Sequence, residues 1–280
     1  MSYPFYAVTD LGYGRSTNED AIMVKELSKD TMIAMIADGA GSHNEEFQPA
    51  SIVLNEIYDF ISKVTEEEGE EFLKENITLI FKLAINSANR ALGLFKLANE
   101  DLYGGFATSL TICLISKNNY FAIAHTGNTR LYILRTGFKN NIRQLTTDHT
   151  KGYRLVSEGK ITEEMYYTSP ERLKIESGLG FGADPELQIV DGYLNENDGV
   201  LLTTDGIHYA IRPEAISEII ARSGTLDEGC NTLIAAAKEL KYIDNASAIL
   251  IVNKEIEQAP ISYNEAGDRI QTEEEELYVR

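Results

Sequence analysis

Four acidic positions stand where apolar runs begin or end: Glu19-Asp20 before Ala-Ile-Met-Val, Asp38-Gly39 after residues 31–37, Asp205-Gly206 after Val-Leu-Leu-Thr-Thr, and Asp244-Asn245 before the apolar run 246–252. Singly, each reads as turn punctuation, since Asp-Gly and Asp-Asn favour turns. Together they imply more. If antiparallel strands bring these ends to one place, the carboxylates converge, and such a cluster needs cations to neutralise it. Oxygen-only donors favour a hard ion, Mg²⁺ or Mn²⁺, and the chain has no His-rich or Cys-rich spacing that would favour zinc. Two divalent ions would balance Asp20, Asp38, Asp205 and Asp244, and Gly39 would let a backbone carbonyl approach the same ions. Arg15 offers a bidentate guanidinium to a phosphoryl group.

Elements must place these residues. Residues 31–37, Thr-Met-Ile-Ala-Met-Ile-Ala, read as a strand buried on both faces. Ala50, Val53, Leu54, Ile57 and Ile61 recur at helical spacing, and a second series runs from Leu73 through Ile77, Ile80, Ala84, Ala91 and Leu92 to Phe95. The run Glu66 to Glu71 between them reads as a solvated acidic turn leading into a helix N-terminus. Residues 107–116 and 120–126 form a hairpin about Lys117-Asn118-Asn119, with 129–135 as a third antiparallel neighbour. Further strands are expected at 187–193, 199–204 and 246–252, and helices at 213–222 and 226–241. The pattern argues for antiparallel sheets covered by helices rather than a parallel βαβ array.

Composition bounds the function. With 25 Lys+Arg against 44 Asp+Glu the net charge is −19, and no basic run is present, which argues against nucleic-acid and anionic-membrane partners. The first residues lack a basic segment followed by an apolar one, and no apolar stretch reaches the ~18 residues of a membrane span, so a cytoplasmic protein is expected. Cys113 and Cys230 read as buried small hydrophobes. Residues 254–280, with four consecutive Glu at 273–276, read as an acidic exposed tail.

Seven runs then carry a family resemblance: Arg15-Ser16-Thr17-Asn18-Glu19-Asp20-Ala21, Ala37-Asp38-Gly39-Ala40-Gly41-Ser42-His43, Ala107-Thr108-Ser109-Leu110, His125-Thr126-Gly127-Asn128-Thr129-Arg130-Leu131-Tyr132, Gln144-Leu145-Thr146-Thr147-Asp148-His149, Leu202-Thr203-Thr204-Asp205-Gly206 and Asp244-Asn245-Ala246-Ser247. Their order and spacing resemble the metal-dependent type 2C protein serine/threonine phosphatases of the bacterial branch, over residues 5 to about 253. The resemblance implies one α+β domain over 1–253, a four-layer α-β-β-α sandwich of two antiparallel β-sheets flanked by helix pairs, with a flap at about 148–182. It implies a dinuclear Mg²⁺/Mn²⁺ centre in which Asp38 bridges, Gly39 lends its carbonyl, Asp205 and Asp244 ligate, and Glu19 and Asp20 bind metal-held waters. Arg15 would hold the substrate phosphate, and an activated water would attack phosphorus in line. The implied partners are phosphorylated Ser/Thr proteins, including a Ser/Thr kinase.

His43 matches a histidine of the bacterial Asp-Gly motif and has two readings, a proton donor to the leaving alkoxide or a group that only hydrogen-bonds the following helix. The clearest departure is Asn128, where the family reads Asp; a neutral amide makes a weaker third-ion ligand, so the third ion is expected to bind poorly. Three function classes follow: an active phosphatase, a catalytically weak or inactive phosphoprotein-binding module for which Asn128 is the hint, and a phosphatase dedicated to one small signalling phosphoprotein, which would usually lack the flap.

Overall fold

The structure is a computed structural model that describes residues 3–41, 48–98, 106–135, 142–182 and 184–252. The chain begins with β1 (Phe5–Asp10), β2 (Asp20–Ser28) and β3 (Thr31–Ala40), then runs through α1 (Pro49–Glu68), α2 (Glu70–Glu75) and α3 (Ile77–Ala98). It continues with β4 (Ala107–Ser116), β5 (Tyr120–Thr126), β6 (Arg130–Arg135) and β7 (Ile142–Gln144). Two short helices follow, α4 (Lys151–Ser157) and α5 (Glu163–Thr168), with a 3-10 turn at Pro170–Leu173. After β8 (Gln188–Tyr193) and β9 (Asp198–Thr203) come α6 (Asp205–His208), α7 (Pro213–Arg222), α8 (Leu226–Glu239) and β10 (Ala246–Val252).

All strand pairs are antiparallel, in two five-stranded sheets of order β1-β10-β9-β6-β7 and β2-β3-β4-β5-β8. The layering follows from the apolar pattern. In β3, Ile33, Met35 and Ala37 pack towards α1 and α3, while Met32, Ala34 and Ile36 pack between the sheets. A strand covered on both faces has no solvent side, so its sequence loses polar alternation. Ile33 and Ile36 are fully buried, each contributing about 2 kcal/mol of burial. On the other sheet Leu202, Ile249 and Ile251 face the inter-sheet layer, whereas Leu201, Ala248 and Leu250 pack under α7 and α8 with Ile216, Leu233 and Ile234. The result is the expected α+β sandwich of two antiparallel sheets flanked by helices.

Two expectations are corrected. Residues 130–135 form a strand as read, but it joins the opposite sheet, between β9 and β7, and the outer neighbour of β5 is β8. The reason is the crossing at Gly127, whose φ of +95° turns the chain out of the plane of β5. The acidic run is not one turn: Glu66 to Glu68 close α1, Gly69 interrupts, and Glu70 and Glu71 begin α2, where only the latter pair suits the helix dipole. Cys113 and Cys230 are free and buried, one between the sheets and the other on the sheet-facing side of α8. The expected tail and His43 lie outside the described residues. Among the described residues no helix is long and apolar enough to cross a membrane.

Candidate metal centre

The acidic residues meet at one end of the sandwich, two from each sheet. Asp20 opens β2 and stands opposite Asp38 of β3 in register. Asp205 follows β9 at the start of α6, and Asp244 precedes β10, the hydrogen-bonded neighbour of β9. The Asp205-Gly206 pair is therefore more than a turn. A Cβ on Gly206 would lie 1.8 Å from the Asn245 carbonyl oxygen, so only glycine lets α6 lie against the Asp244 loop.

Neighbours from distant parts of the sequence fix the carboxylates of Asp20, Asp205 and Asp244 and the backbone around Glu19 and Asp38. Asp20 Oδ2 accepts hydrogen bonds from Thr204 Oγ1 at 2.8 Å and Ser247 Oγ at 2.6 Å, both from the opposite sheet. Asn245 Oδ1 accepts from the Glu19 backbone N–H at 2.9 Å, and its Nδ2 donates to the carbonyls of Leu11 and Thr17. Gly39 donates its N–H to the Glu19 carbonyl at 3.2 Å. Thr108 Oγ1 donates to the Asp38 carbonyl at 2.9 Å. Arg15 Nη2 donates to Asp244 Oδ1 at 2.5 Å, with Glu19 3.8 Å from its other terminal nitrogen. Asn128 Nδ2 donates to Asp205 Oδ2 at 3.0 Å.

Electrostatics show how uncomfortable these acids are together. Burial, then the charges of Asp205, Asp20 and Asp244, push the Asp38 carboxyl well above the ordinary value. Burial and the charges of Asp244 and Asp20 push Asp205 up to about 8. Asp20, raised mainly by burial, reaches about 7 despite its two hydroxyl donors. Asp244 is also raised by burial, against the opposing pull of Arg15.

Two observations test whether a divalent ion fits. Among the described residues, no group of three or more His, Cys, Asp or Glu is assembled into a ready ion cage. The donor chemistry nevertheless fits: four mutually repelling carboxylates converge, Asp20 and Asp205 buried and Asp38 and Asp244 half-buried, and Asp205 Oδ1 is buried with no hydrogen-bond partner among the described residues. A buried carboxylate oxygen without a donor costs several kcal/mol unless a cation meets it. Uncompensated acids repel one another, so the cluster would close only around a cation that neutralises it.

A family model described as Protein phosphatase 2C matches residues 13–240. The chain belongs to the protein phosphatase 2C family. The serine/threonine phosphatase stp of Listeria welshimeri is 27% identical over 243 residues, covering 87% of this chain and 93% of that protein. Among solved structures, the serine/threonine phosphatase Stp1 from Staphylococcus aureus superposes with a TM-score of 0.77 at 25% identity, covering 91% of this chain and 96% of that one. The catalytic domain of PstP in complex with 2 manganese ions shares the fold, with a TM-score of 0.71 at 24% identity over 89% of this chain and 97% of that one.

Other residues of this phosphatase-family chain take supporting places. The segment after Asp148 is rooted beside the carboxylates. Thr108 and Leu179 exchange backbone hydrogen bonds of 3.0 Å, and the His149 N–H donates to the Gly127 carbonyl at 2.7 Å. Arg130 and Asp148, both buried, make a bidentate pair at 2.8 and 2.7 Å, and the Tyr166 hydroxyl of α5 donates to the same carboxylate. Arg172 lies 4.6 Å over the Tyr209 ring and 5.9 Å from Tyr242, touching the segments that follow Asp205 and precede Asp244. His125 is packed, sharing Nδ1 with Thr111 Oγ1 at 2.9 Å, and burial brings it down to about 4. Thr204, Ser247, Asn245 and Ser109 had only their place inside the motif runs to mark them, because a hydroxyl's partner two hundred residues away leaves no local pattern.

Proposed function

We propose that this chain is a metal-dependent phosphoprotein phosphatase that hydrolyses phosphoserine and phosphothreonine at a dinuclear Mg²⁺ or Mn²⁺ centre. The observation that carries the reading is the convergence of Asp20, Asp38, Asp205 and Asp244 with the unpartnered Asp205 Oδ1. Asp38, Asp205 and Asp244 with the Gly39 carbonyl would hold the ions, and Glu19 and Asp20 would act through their waters. When bound, divalent ions acidify a water into a nucleophile near neutral pH and neutralise the phosphoryl oxygens. The protein supplies the rest. Arg15, at the solvent edge beside Asp244, orients the phosphoryl group with its guanidinium fork and swaps a carboxylate partner for the substrate. Thr204 and Ser247 keep Asp20 from rotating away, and Asn245 holds the Glu19 backbone against it. His43 is the proposed proton donor to the leaving alkoxide.

The reading extends to one catalytic domain over residues 1–253 with a flap at about 148–182, an acidic segment 254–280 outside it, a cytoplasmic setting, and phosphorylated Ser/Thr proteins including a kinase as substrates. The names of Listeria stp and Staphylococcus Stp1 and the two manganese ions of PstP support it. Asn128 favours a variation in which a third ion binds weakly at most and turnover is reduced. The deciding experiment is phosphate release from a phosphothreonine peptide by chelator-stripped protein as Mn²⁺ or Mg²⁺ is titrated back, beside Asp38→Asn. Metal-dependent release by wild type and none by the variant is expected; no release at any metal concentration would favour a binding module instead.

A further inference from the structure

Asn128 lies in the β5–β6 crossing, 1% exposed, with every polar group of its side chain committed. Its backbone N–H donates to Ser109 Oγ at 3.2 Å, and Ser109 Oγ donates back to Asn128 Oδ1 at 2.7 Å. Facing Asp205 Oδ2 with the amide oxygen would set acceptor against acceptor, so the amide turns its oxygen to the Ser109 hydroxyl. The other end, Nδ2, must then be the donor, and it meets Asp205 Oδ2 at 3.0 Å. The crossing is pressed onto Ser109 as well. A Cβ on Gly127 would lie 2.3 Å from Ser109 Oγ, so the loop reaches this depth only through glycine. Ser109 stands opposite Asp38 in the β3–β4 register, so the path starts in one sheet and ends on the acid carried by the other.

We propose that Asn128 is a positioning residue rather than an ion ligand: aimed by Ser109, its amide holds Asp205 Oδ2 and leaves Oδ1 as the oxygen that ligates. This deepens the proposed function and rests on its reading of Asp205 as a ligand. An aspartate at 128 could not do this work, because a carboxylate has no proton to give a second carboxylate. The chain thus replaces a charged group with a neutral donor that sorts the two oxygens of its neighbour. Partners of metal ligands placed in this way change ion affinity by about 10- to 100-fold when removed.

The test is calorimetric titration of Mn²⁺ into chelator-stripped wild type, Asn128→Ala, Ser109→Ala and the double variant, with cooperative melting checked for each. Wild type should take two ions. Asn128→Ala should keep that stoichiometry and lose about 10-fold in affinity for one ion. Ser109→Ala should weaken binding in the same direction, by less, and the double variant should be no weaker than Asn128→Ala, because both act along one path. Unchanged affinity in Asn128→Ala, loss of an ion from its stoichiometry, or additive losses in the double variant would overturn the proposal. If Asn128→Ala does not fold, Ser109→Ala decides: wild-type affinity there overturns it too. A wild type that takes no Mn²⁺ sinks the metal reading itself, which is a different result from any of these.

Discussion

Replacing Asp148 by Asn removes one charge from a pair that water does not reach. The side chains of Arg130 and Asp148 are 2% and 0% exposed. Burial alone would raise the Asp148 carboxyl, yet it is held below its ordinary value by Arg130 and by the hydrogen bonds it accepts from Arg130 and Tyr166. In Asp148→Asn the guanidinium keeps the Tyr132 hydroxyl at 3.1 Å but loses its counter-charge. Stranding a buried charge in this way costs about 3–5 kcal/mol, a large share of the roughly 5–15 kcal/mol that holds an ordinary domain together. With a urea slope of about 3 kcal/mol per molar, the midpoint should fall by about 1–1.7 M. Joint replacement, Arg130→Met with Asp148→Leu, removes both charges and should recover most of that loss. A midpoint shift below about 0.3 M for Asp148→Asn, or a double variant as unstable as the sum of its parts, would refute the reasoning.

Three further outcomes are expected. In chelator-stripped protein Asp20 and Asp205 have folded values of about 7 and about 8, above the unfolded carboxylate range, so the fold prefers them protonated and stability should fall as pH rises from about 4 through 8. Saturating Mn²⁺ should raise the melting temperature and remove that slope; thermal scans at pH 5, 7 and 8 with and without metal check both, and an unchanged melting temperature counts against the centre. Asn128→Asp should add a third, weaker step to the Mn²⁺ titration and raise turnover at saturating metal, while one of the first two steps weakens because the amide no longer holds Asp205; identical titrations and rates for the two proteins would dismiss the third-ion idea.

Much of the fold was legible because burial writes directly into sequence. The unbroken apolar run of β3 announced a strand covered on both sides, and the spacing from Ala50 to Ile61 announced the helix that covers it. The acids at strand ends were legible by type and place. The sheet to which β6 belongs was not, since an antiparallel strand looks the same in either sheet and the decision lies in one positive φ at Gly127. Asn128 read as a weakened ligand for a similar reason: its residue type says what it can offer, while Ser109 and Asp205 decide which way it turns. The grip of Tyr166 on Asp148 was hidden because the segment between them has weak periodicity of its own.

Asp20 and Asp38 belong to one sheet, and Asp205 and Asp244 flank strands of the other. Elsewhere the sheets adhere through side chains such as Ile36, Leu202 and Ile249, apolar contacts that carry no directional bond. Ions shared by both acid pairs would rivet the two leaves at one end, as the pin of a hinge does, and leave the far end to breathe. Metal loading should therefore slow amide exchange most at the first residues of β2 and β10 and the last of β3 and β9, with protection fading towards the opposite rim. Cofactor capture and mechanical stiffness of the sandwich would then be one event.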